Sequence, residues 1–346
     1  MELNHDEILN IPEPEAEELF GMIESSMDGL RRMYVLRGAL EEGVFERLKR
    51  PKDPRAMARE SGMDEGLAIL LCESLTAMGL LETDGHGNYV NSRMAATYLV
   101  RGSPHAQERS LQWTWTGMER WKDLRRYLRS GPDLIRRTDF FNEGWIHGIA
   151  ERALCGGVQK VVGEMTSLVD MSGGKRLLDL GGGHGLYSIA FCAKVPGLRA
   201  VVFDLPQVVP LTHQYIERYG ASSVEVVSGD FTRDDIGSGY DLVFSSFNNS
   251  GTDQSMVPKV ASALRPGGHL LLRQFSEQAK NEPLAGLEWN FVTIEGMGRE
   301  RRRFSGPRSC SLEEYGRALE ASGFEIVRHW DCDRMSELMV ARKGAE

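Results

Sequence analysis

The sequence that decides the fold is Arg176-Leu177-Leu178-Asp179-Leu180-Gly181-Gly182-Gly183-His184-Gly185. A short apolar run ends in an acid and passes into a glycine-rich loop, and a helix-compatible stretch, 186–194, follows. This order predicts a strand, a tight turn and a helix, which together begin a βαβ unit. Glycines let the backbone turn sharply and approach a ligand closely. The N-terminus of the helix beyond the loop offers free N–H groups to that ligand.

Four further apolar runs follow the glycine loop and alternate with helix-compatible segments: 200–203, 224–227, 241–244 and 269–272. The first of them ends at Asp204, about the distance at which such folds place an acid on a ribose hydroxyl. This alternation predicts a parallel sheet that is covered on both faces. Near the end of the chain, 324–327 and 337–341 read as an antiparallel pair.

The spacing of the glycines separates two kinds of nucleotide site. The dinucleotide pattern G-x-G-x-x-G would need a glycine at position 186, where the chain has Leu186. The chain instead reads G-x-G-x-G through Gly181, Gly183 and Gly185. Together with Gly229-Asp230 and Pro266-Gly267-Gly268, this pattern resembles the class I S-adenosylmethionine (SAM)-dependent methyltransferases.

A narrower resemblance rests on three segments: 178–185, Phe203-Asp204-Leu205-Pro206-Gln207-Val208-Val209 and Gly229-Asp230-Phe231. They look like the small-molecule O-methyltransferase family that carries an N-terminal dimerisation domain. The Asp-Leu-Pro signature is specific, and the resemblance covers nearly the whole chain. It implies a homodimer and an α/β fold in which a Rossmann-like SAM domain follows an α-rich winged-helix domain. The sheet would be mostly parallel, with a closing antiparallel hairpin.

On this interpretation the chain has three parts: a winged-helix dimerisation domain at 1–105, a helical connector that lines the acceptor pocket at 106–170, and the Rossmann-like domain at 171–346. The 346 residues are enough for two domains with ample cores. The chain contains no run of 18 apolar residues, so no membrane span is predicted. The polar N-terminus does not resemble a signal peptide. The five cysteines form no C-x-x-C pair, which favours reduced thiols in the cytoplasm over a disulfide framework or a metal site.

Residues 53–102 suggest a winged helix, and this raises the alternative of a DNA-binding regulator. Charge argues against that alternative. The would-be recognition helix begins Asp64-Glu65 and has no Arg or Lys before Leu80. Phosphate contacts and guanine readout need such cations. The net charge of −9 also disfavours general nucleic-acid binding.

An apolar stripe with helical spacing runs through 15–48: Leu19, Phe20, Ile23, Met27, Leu30 and Tyr34. The ordinary interpretation is a core face. The alternative is a subunit interface or a pocket lid, because flexible methionines, which are frequent here, suit irregular surfaces. The family resemblance favours an intertwined dimer.

The connector is rich in aromatic residues, among them Trp113 and Trp145. Such density most often belongs to a core. It can also form the wall of a pocket for a flat acceptor, since small-molecule pockets are lined mainly by apolar and aromatic side chains. In the resembling family the connector supplies much of the acceptor pocket, and we therefore take both tryptophans as candidate acceptor contacts.

The resemblance also implies the residues that hold SAM. Asp179, Gly181, Gly183 and Gly185 would hold its methionine part, and Asp204 would accept from both ribose hydroxyls. Asp230 would lie near the adenine amine with Phe231 against the ring, and Leu205 and Ser245 complete the implied set. His184 lies inside the glycine loop and is expected to fill the loop rather than act as a base.

The segment after the fourth strand departs from the family. Typical members carry a histidine there that takes the proton from the acceptor hydroxyl, but this chain has no His from Tyr240 to Gly268. The matching position is Asn249 or Ser250, which are the candidate catalytic residues. A supporting family glutamate falls near Ser309 and is also missing. An acid such as Asp253 would have to replace the base, or the acceptor would have to react unaided.

A basic segment at 299–308 includes Arg301 and Arg303. It is either a solvated loop or a clamp for an anionic acceptor, because the Arg guanidinium matches carboxylates and phosphates. The sequence therefore predicts SAM-dependent methyl transfer to a small, flat acceptor, which can be anionic. The methyl group would go to a carbon, oxygen or sulfur atom, without a histidine base. The alternative is a SAM-binding enzyme of the same fold that does not transfer a methyl group.

Overall fold

A computed structural model of the chain describes residues 6–248, 251–295 and 308–345. The chain divides into two compact units, Met1–Ala106 and Gln107–Glu346. The division lies one residue beyond the predicted boundary at 105. Residues 107–170 of the predicted connector belong to the second unit, and Ala106 belongs to the first.

The first unit is mainly helical. Its helices are α1 (Asp6–Leu9), α2 (Glu17–Glu41), α3 (Val44–Arg47), α4 (Pro54–Ser61), α5 (Glu65–Ala77) and α6 (Arg93–Tyr98). Asp53 and Asp64 cap α4 and α5, accepting the N–H groups of Arg55 and Leu67. Strands β1 (Leu81–Thr83) and β2 (Tyr89–Asn91) then pair antiparallel. Two capped helices followed by a hairpin form the winged-helix arrangement that the sequence predicts.

Helix α2 exposes the apolar stripe of the N-terminal segment. The six predicted stripe residues, from Leu19 to Tyr34, are between 39% and 59% exposed. Only the last turns of α2 reach the core of this unit, where Ala39 is buried and Val35 and Leu36 pack beside it. The interpretation of the stripe as a core face of its own unit is therefore wrong.

The second unit begins with helices and continues into a sheet. Its helices are α7 (Glu108–Trp121), α8 (Leu124–Ser130), α9 (Arg137–Phe140), α10 (Glu143–Arg152), α11 (Val158–Leu168), α12 (Leu186–Lys194), α13 (Val209–Arg218), α14 (Val257–Ala263), α15 (Glu277–Lys280), α16 (Pro283–Trp289) and α17 (Leu312–Glu320). Its strands are β3 (Asp133–Ile135), β4 (Arg176–Leu180), β5 (Arg199–Asp204), β6 (Val224–Ser228), β7 (Tyr240–Ser246), β8 (Leu264–Phe275), β9 (Val292–Ile294), β10 (Phe324–Asp333) and β11 (Ser336–Lys343).

The central sheet has seven strands in the order β10-β11-β8-β7-β4-β5-β6. The five strands from β8 to β6 are parallel, and β11 pairs antiparallel with both β8 and β10. This is the predicted mostly parallel sheet with a closing antiparallel hairpin. Strand order reverses between β4 and β7, and in open α/β sheets ligands bind at the carboxyl ends of the strands beside such a reversal.

Alternate residues of the strands bury opposite faces of the sheet. Leu177 and Phe244 join one core with α11 and α12, and Leu178 and Val243 join the other with α14 and α17. The sheet is thus fixed from both sides, which makes the carboxyl edge of β4, β5 and β7 a rigid platform. No helix among the described residues is long and apolar enough to cross a membrane.

Candidate active site

The glycine loop between β4 and α12 turns in the left-handed region. The φ angles of Gly181, Gly183 and Gly185 are +67°, +56° and +70°. A Cβ atom on Gly181 would also lie 2.6 Å from the side-chain nitrogen Nδ2 of Asn248. Apart from its two neighbours in the chain, no described residue has an atom within 4 Å of a Cβ built on Gly183. The loop is therefore tightly packed at its start and open at its centre, as a loop that receives a ligand must be.

Gly182 is a fourth required glycine, which the G-x-G-x-G pattern did not single out. A Cβ atom there would lie 2.6 Å from the Asp179 carboxyl carbon and 2.9 Å from Val202. Both neighbours belong to the buried edge of the sheet. Gly182 thus lets the loop fold down onto β4 and β5.

Asp204, at the end of β5, joins the two strands of the site. Its Oδ2 accepts the N–H of Gly183 at 2.7 Å, and its Oδ1 accepts the N–H of Leu205 at 2.6 Å. The loop is held a second time by Thr212, whose hydroxyl donates to the Gly183 carbonyl at 2.6 Å. A carboxylate has about four acceptor positions, so Asp204 keeps capacity for two more donors. Burial raises the pKa of this carboxyl, which its backbone donors partly offset.

Asp179 lies beneath the loop and is almost fully buried. Ser188, in the first turn of α12, donates its hydroxyl to Asp179 Oδ2 at 2.7 Å. Burial raises the pKa of the Asp179 carboxyl to about 7, and the nearby Asp204 adds to the rise. Two acids in one buried site make it a favourable place for a cation.

Asp230 and Phe231 follow β6 at the same edge. Asp230 Oδ1 accepts from the backbone and hydroxyl of Thr232, and Oδ2 accepts from Nη1 of Arg137 at 2.7 Å. Burial raises the pKa of the Asp230 carboxyl, but these partners outweigh burial and hold it below its ordinary value. Phe231 lies against the glycine loop, 3.5 Å from a Cβ built on Gly181.

The end of β7 carries two unusual groups. Ser245 is buried, and its hydroxyl has no hydrogen-bond partner among the described residues. Phe247 has a backbone φ of +50°, which residues other than glycine rarely adopt. Its ring stacks on Phe275 at 4.1 Å, and the Arg273 guanidinium lies 4.2 Å from it. Packing thus fixes a strained backbone where the predicted catalytic segment begins.

His184 is buried inside the loop, as its position in the sequence predicts. Its Nδ1 accepts the N–H of Leu186 at 3.1 Å, so the ring proton sits on Nε2 and neither nitrogen has a free lone pair. Burial lowers the pKa of this imidazole to about 4. A second histidine, His147, makes a 2.7 Å hydrogen bond through Nδ1 to the Tyr215 hydroxyl and lies 3.5 Å from Glu143 through Nε2.

Trp113 and Trp145 belong to one aromatic cluster, with the buried Phe140 at its centre. Ring centroids of four neighbours lie 5.0 to 6.3 Å from that of Phe140: Trp113, Phe141, Trp145 and Trp289. We call these five residues the aromatic cluster. It combines α7, the α9–α10 region and α16, and it presents flat apolar surface with indole N–H groups at its margins.

The predicted catalytic residues Asn249 and Ser250 lie outside the described residues, as do Arg301 and Arg303. Their neighbours Asp253 and Arg308 are described, and they form an ion pair of 3.1 Å. Asp253 Oδ1 also accepts the N–H and hydroxyl of Ser255 at 2.9 and 2.7 Å. Asp253 is therefore engaged as a helix cap and an ion-pair partner, which argues against it as a replacement base.

Two arginines of this region were not found by sequence reasoning. Arg137 pairs with Asp230, and Arg273 is buried with its Nη1 donating to the Tyr187 hydroxyl at 2.6 Å. Each lies on an element remote in sequence from its partner, and no local motif marks either. Only the dense aromatic run around Arg137 drew attention to its segment.

The chain was compared with known proteins. The family model of the O-methyltransferase domain matches residues 148–306. An uncharacterized protein of Methanocaldococcus jannaschii is 30% identical over 96% of this chain and 90% of its own. The 3-hydroxy-5-methyl-1-naphthoate 3-O-methyltransferase of Streptomyces sahachiroi is 31% identical over 71% of this chain and 74% of its own. This chain belongs to the O-methyltransferase family.

A solved structure gives the same fold. Human N-acetylserotonin methyltransferase, in complex with SAM, matches with a TM-score of 0.71 at 21% identity, over 96% of this chain and 99% of that one. The family and fold expected from the motifs are thus confirmed. The protein is a methyltransferase, and SAM is the cofactor of its family.

The residues at the sheet edge fit this cofactor. Asp204 retains acceptor positions, Ser245 has a buried hydroxyl without a partner among the described residues, and Gly183 faces open space. SAM carries hydroxyl and ammonium donors and a sulfonium charge. The free acceptor positions can bind these donors, the buried acids favour the positive charge, and the open backbone at Gly183 leaves room for the cofactor.

The raised pKa of Asp179 predicts a pH-dependent cofactor affinity. A bound cation favours the carboxylate, so binding releases a proton wherever Asp179 is protonated in the free protein. Affinity for SAM should therefore rise from pH 6 to pH 8, by about tenfold, and level off above the pKa of about 7. Calorimetry across this range measures it, and Asp179→Asn should remove the dependence.

His184→Asn is the matched control, since the Asn Oδ1 can accept the Leu186 N–H in place of Nδ1. Because the pKa of His184 is about 4, this variant should keep the rise near pH 7. A flat affinity profile in the parent protein, or a rise that vanishes in His184→Asn, would contradict the role assigned to Asp179.

Proposed function

We propose that the protein transfers the methyl group of SAM to a small, flat acceptor without the help of a histidine base. One observation carries the proposal: the acids and the glycine loop at the ends of β4, β5 and β6 belong to the same unit as an aromatic cluster of five rings. The first set suits a cationic nucleoside cofactor, and the second suits a planar acceptor.

On the cofactor side, Asp204 and Leu205 would hold the ribose end, Asp230 and Phe231 the adenine, and Asp179, Gly181, Gly183 and Gly185 the methionine end. Ser245 would place its unpartnered hydroxyl against the cofactor. Bound SAM supplies an activated methyl group for in-line displacement. The protein residues then contribute position, orientation and exclusion of water.

On the acceptor side, Trp113 and Trp145 would contact a planar ring. Both touch Phe140, which is buried, so the wall they form is rigid. Rigid aromatic walls orient a flat substrate at a low cost in conformational entropy. The relative from Streptomyces sahachiroi acts on a naphthoate, according to its name, and such an acceptor is both flat and anionic.

Proton chemistry supports an acceptor that reacts without a protein base. The Nδ1 lone pair of His184 accepts the N–H of Leu186, and both ring nitrogens of His147 contact Tyr215 or Glu143. Asp253 is held by Ser255 and Arg308. The acceptor would then be an acidic phenol or thiol, or an electron-rich carbon. Such groups are nucleophilic enough to attack the methyl group of SAM when they are correctly placed.

The direct test is a screen of metabolite extracts with SAM labelled in its methyl group. Mass analysis of labelled products identifies the acceptor and the atom that is modified. We expect a labelled planar product that depends on the enzyme. Tight SAM binding with no labelled product from any extract, and with SAM consumed, would favour the alternative of non-methylating chemistry.

Replacing Asn249 or Ser250 with Ala should cost less than about tenfold in single-turnover rate, whereas loss of a true general base costs about 10²–10⁴. An amide has no basic nitrogen and a serine hydroxyl is a poor base near neutrality. Rapid-quench kinetics with the identified acceptor, at saturating SAM, measures the rate. A loss of a hundredfold or more in either variant would show that this segment does supply the catalytic group.

The basic segment remains a prediction from sequence. If Arg301, Arg302 and Arg303 clamp an anionic acceptor, their triple replacement by Ala should raise the acceptor KM and leave SAM affinity intact. The loss should shrink as salt rises, because exposed charges are screened. Arg308→Ala is the matched control, since Arg308 already pairs with Asp253. Normal acceptor kinetics in the triple variant would leave this segment as a solvated loop.

We further propose that the exposed face of α2 is covered by a second copy of the chain. Six large apolar side chains on one helix make a patch that monomers rarely leave in water. Sedimentation at micromolar concentration should give a dimer. The double variant Phe20→Asp, Ile23→Asp should dissociate it, because a buried unpaired charge is costly.

Leu128→Asp is the control for this experiment. Leu128 is also exposed, at 71%, but it lies alone on α8 in the other unit, so its replacement should leave the dimer intact. A parent protein that is monomeric and active would contradict the proposal.

A further inference from the structure

Helix α9 is one turn long and carries a functional residue at each end. Its first residue is Arg137, which pairs with Asp230 at the end of β6. Its last residue is Phe140, the centre of the aromatic cluster. The N–H groups of Phe140 and Phe141 donate to the carbonyls of Arg136 and Arg137, both at 3.1 Å, so backbone hydrogen bonds link the two ends of α9. The proposed cofactor site and the proposed acceptor wall are thus joined by one short element.

The Arg137 guanidinium is only partly satisfied. Nη1 donates to Asp230 Oδ2 at 2.7 Å, whereas Nε is buried and has no hydrogen-bond partner among the described residues. A buried donor without a partner is uncommon and calls for an explanation. Burial raises the pKa of Asp204, and Arg137 is among the groups that oppose this rise. The Arg137 side chain thus contacts Asp230 directly and acts electrostatically on Asp204, the two acids of the proposed adenosine site.

Adenosine needs donors as well as acceptors from its site. Its hydroxyls and exocyclic amine donate, and carboxylates such as Asp204 and Asp230 can only accept when ionised. Its ring nitrogens and ribose ring oxygen accept, and neither acid can satisfy them. Arg137, whose Nε is buried and has no hydrogen-bond partner among the described residues, is a cationic side chain beside Asp230 that can supply the missing donor.

We propose that Arg137 is a positioning residue that couples cofactor binding to the aromatic cluster. Its unpartnered N–H donates to an acceptor atom of the bound adenosine, and this contact fixes α9 and therefore Phe140. The acceptor wall is then fully ordered only when the cofactor is in place. The proposal rests on the assignment of this sheet edge as the cofactor site.

The test uses S-adenosylhomocysteine, which has the same adenosine group and cannot react. Calorimetry gives its Kd, and tryptophan fluorescence at saturating ligand reports on the aromatic cluster. The parent protein should bind the ligand and change its emission. Trp145→Phe should remove most of the change, and Trp330→Phe should keep it, because Trp330 lies on β10 and donates to Glu164 at 2.6 Å.

The key variant is Arg137→Met, which keeps the length of the side chain and loses its donors. We expect a Kd that is about three- to tenfold weaker, the fold-change for one lost hydrogen bond. At saturation the fluorescence change should be less than about half that of the parent, because α9 is no longer fixed. Arg136→Met is the matched control: Arg136 is 73% exposed and pairs with Asp139 within α9, so both readouts should stay normal.

Phe140→Leu tests the other end of α9. It leaves Arg137 unchanged, so the Kd should stay near that of the parent while the fluorescence change is lost. This variant also keeps the test decisive if Arg137→Met folds poorly. The ratio of kcat to KM for the acceptor should fall in both variants at saturating SAM, whereas a merely structural Arg137 would leave acceptor KM unmoved once the cofactor is bound.

Three outcomes would overturn the proposal. A Kd of Arg137→Met equal to that of the parent would remove Arg137 from the cofactor site. A weaker Kd with a full fluorescence change at saturation would leave Arg137 as a contact residue without coupling. A parent protein that binds no S-adenosylhomocysteine at all would reject the cofactor site itself, and only that result would also reject the proposed function.

Discussion

The site depends on the two backbone hydrogen bonds that Asp204 accepts, from Gly183 and from Leu205. The first ties the glycine loop after β4 to the end of β5, and the second orients the carboxylate that makes this tie. A carboxylate buried to this degree is costly unless it is hydrogen-bonded. The loop therefore stabilises the acid, and the acid orders the loop. Thr212 adds a second tie through the Gly183 carbonyl, which fixes α13 to the same point.

Much of the fold could be predicted because its signals are local and periodic. The apolar runs that end in Asp179 and Asp204, and the run 224–227, correspond to β4, β5 and β6, and the late antiparallel pair corresponds to β10 and β11 with longer bounds. The role of the N-terminal stripe could not be settled in this way. Helical periodicity marks an apolar face, but it does not say whether that face meets its own core or remains exposed, as it does along most of α2.

The residues of the candidate site also differ in whether a local sequence pattern marks them. Asp179, the glycines, Asp204 and Asp230 stand in short motifs, and the structure brings them to one edge of the sheet. Arg137 and Arg273 were missed because each meets its partner from a distant segment, and a lone arginine has no motif. Gly182 was missed for a partly related reason: a side chain there would collide with Val202, on a neighbouring strand, as well as with Asp179 beneath the loop. Contacts that depend on tertiary packing leave little trace in a single sequence.

The charges of the site are consistent with the proposed methyl transfer without a histidine base. The described acids at the sheet edge are placed to favour a cation, and burial holds Asp179 near a pKa of 7, where binding of a positive ligand shifts it easily. The same burial keeps His184 neutral, with its lone pair used inside the loop. On the proposed function, Asp179 and Asp204 serve the methyl donor, whereas His184 and Asp253 are engaged within the protein. Substrate selection would then depend on chemistry as well as on shape, because only acceptors that are already nucleophilic would react once the aromatic cluster has oriented them. Phe275 and Arg273 hold the strained Phe247 where the family's histidine segment begins. Packing thus keeps the backbone there in place, and on the proposed function the contribution of this segment to the reaction is position.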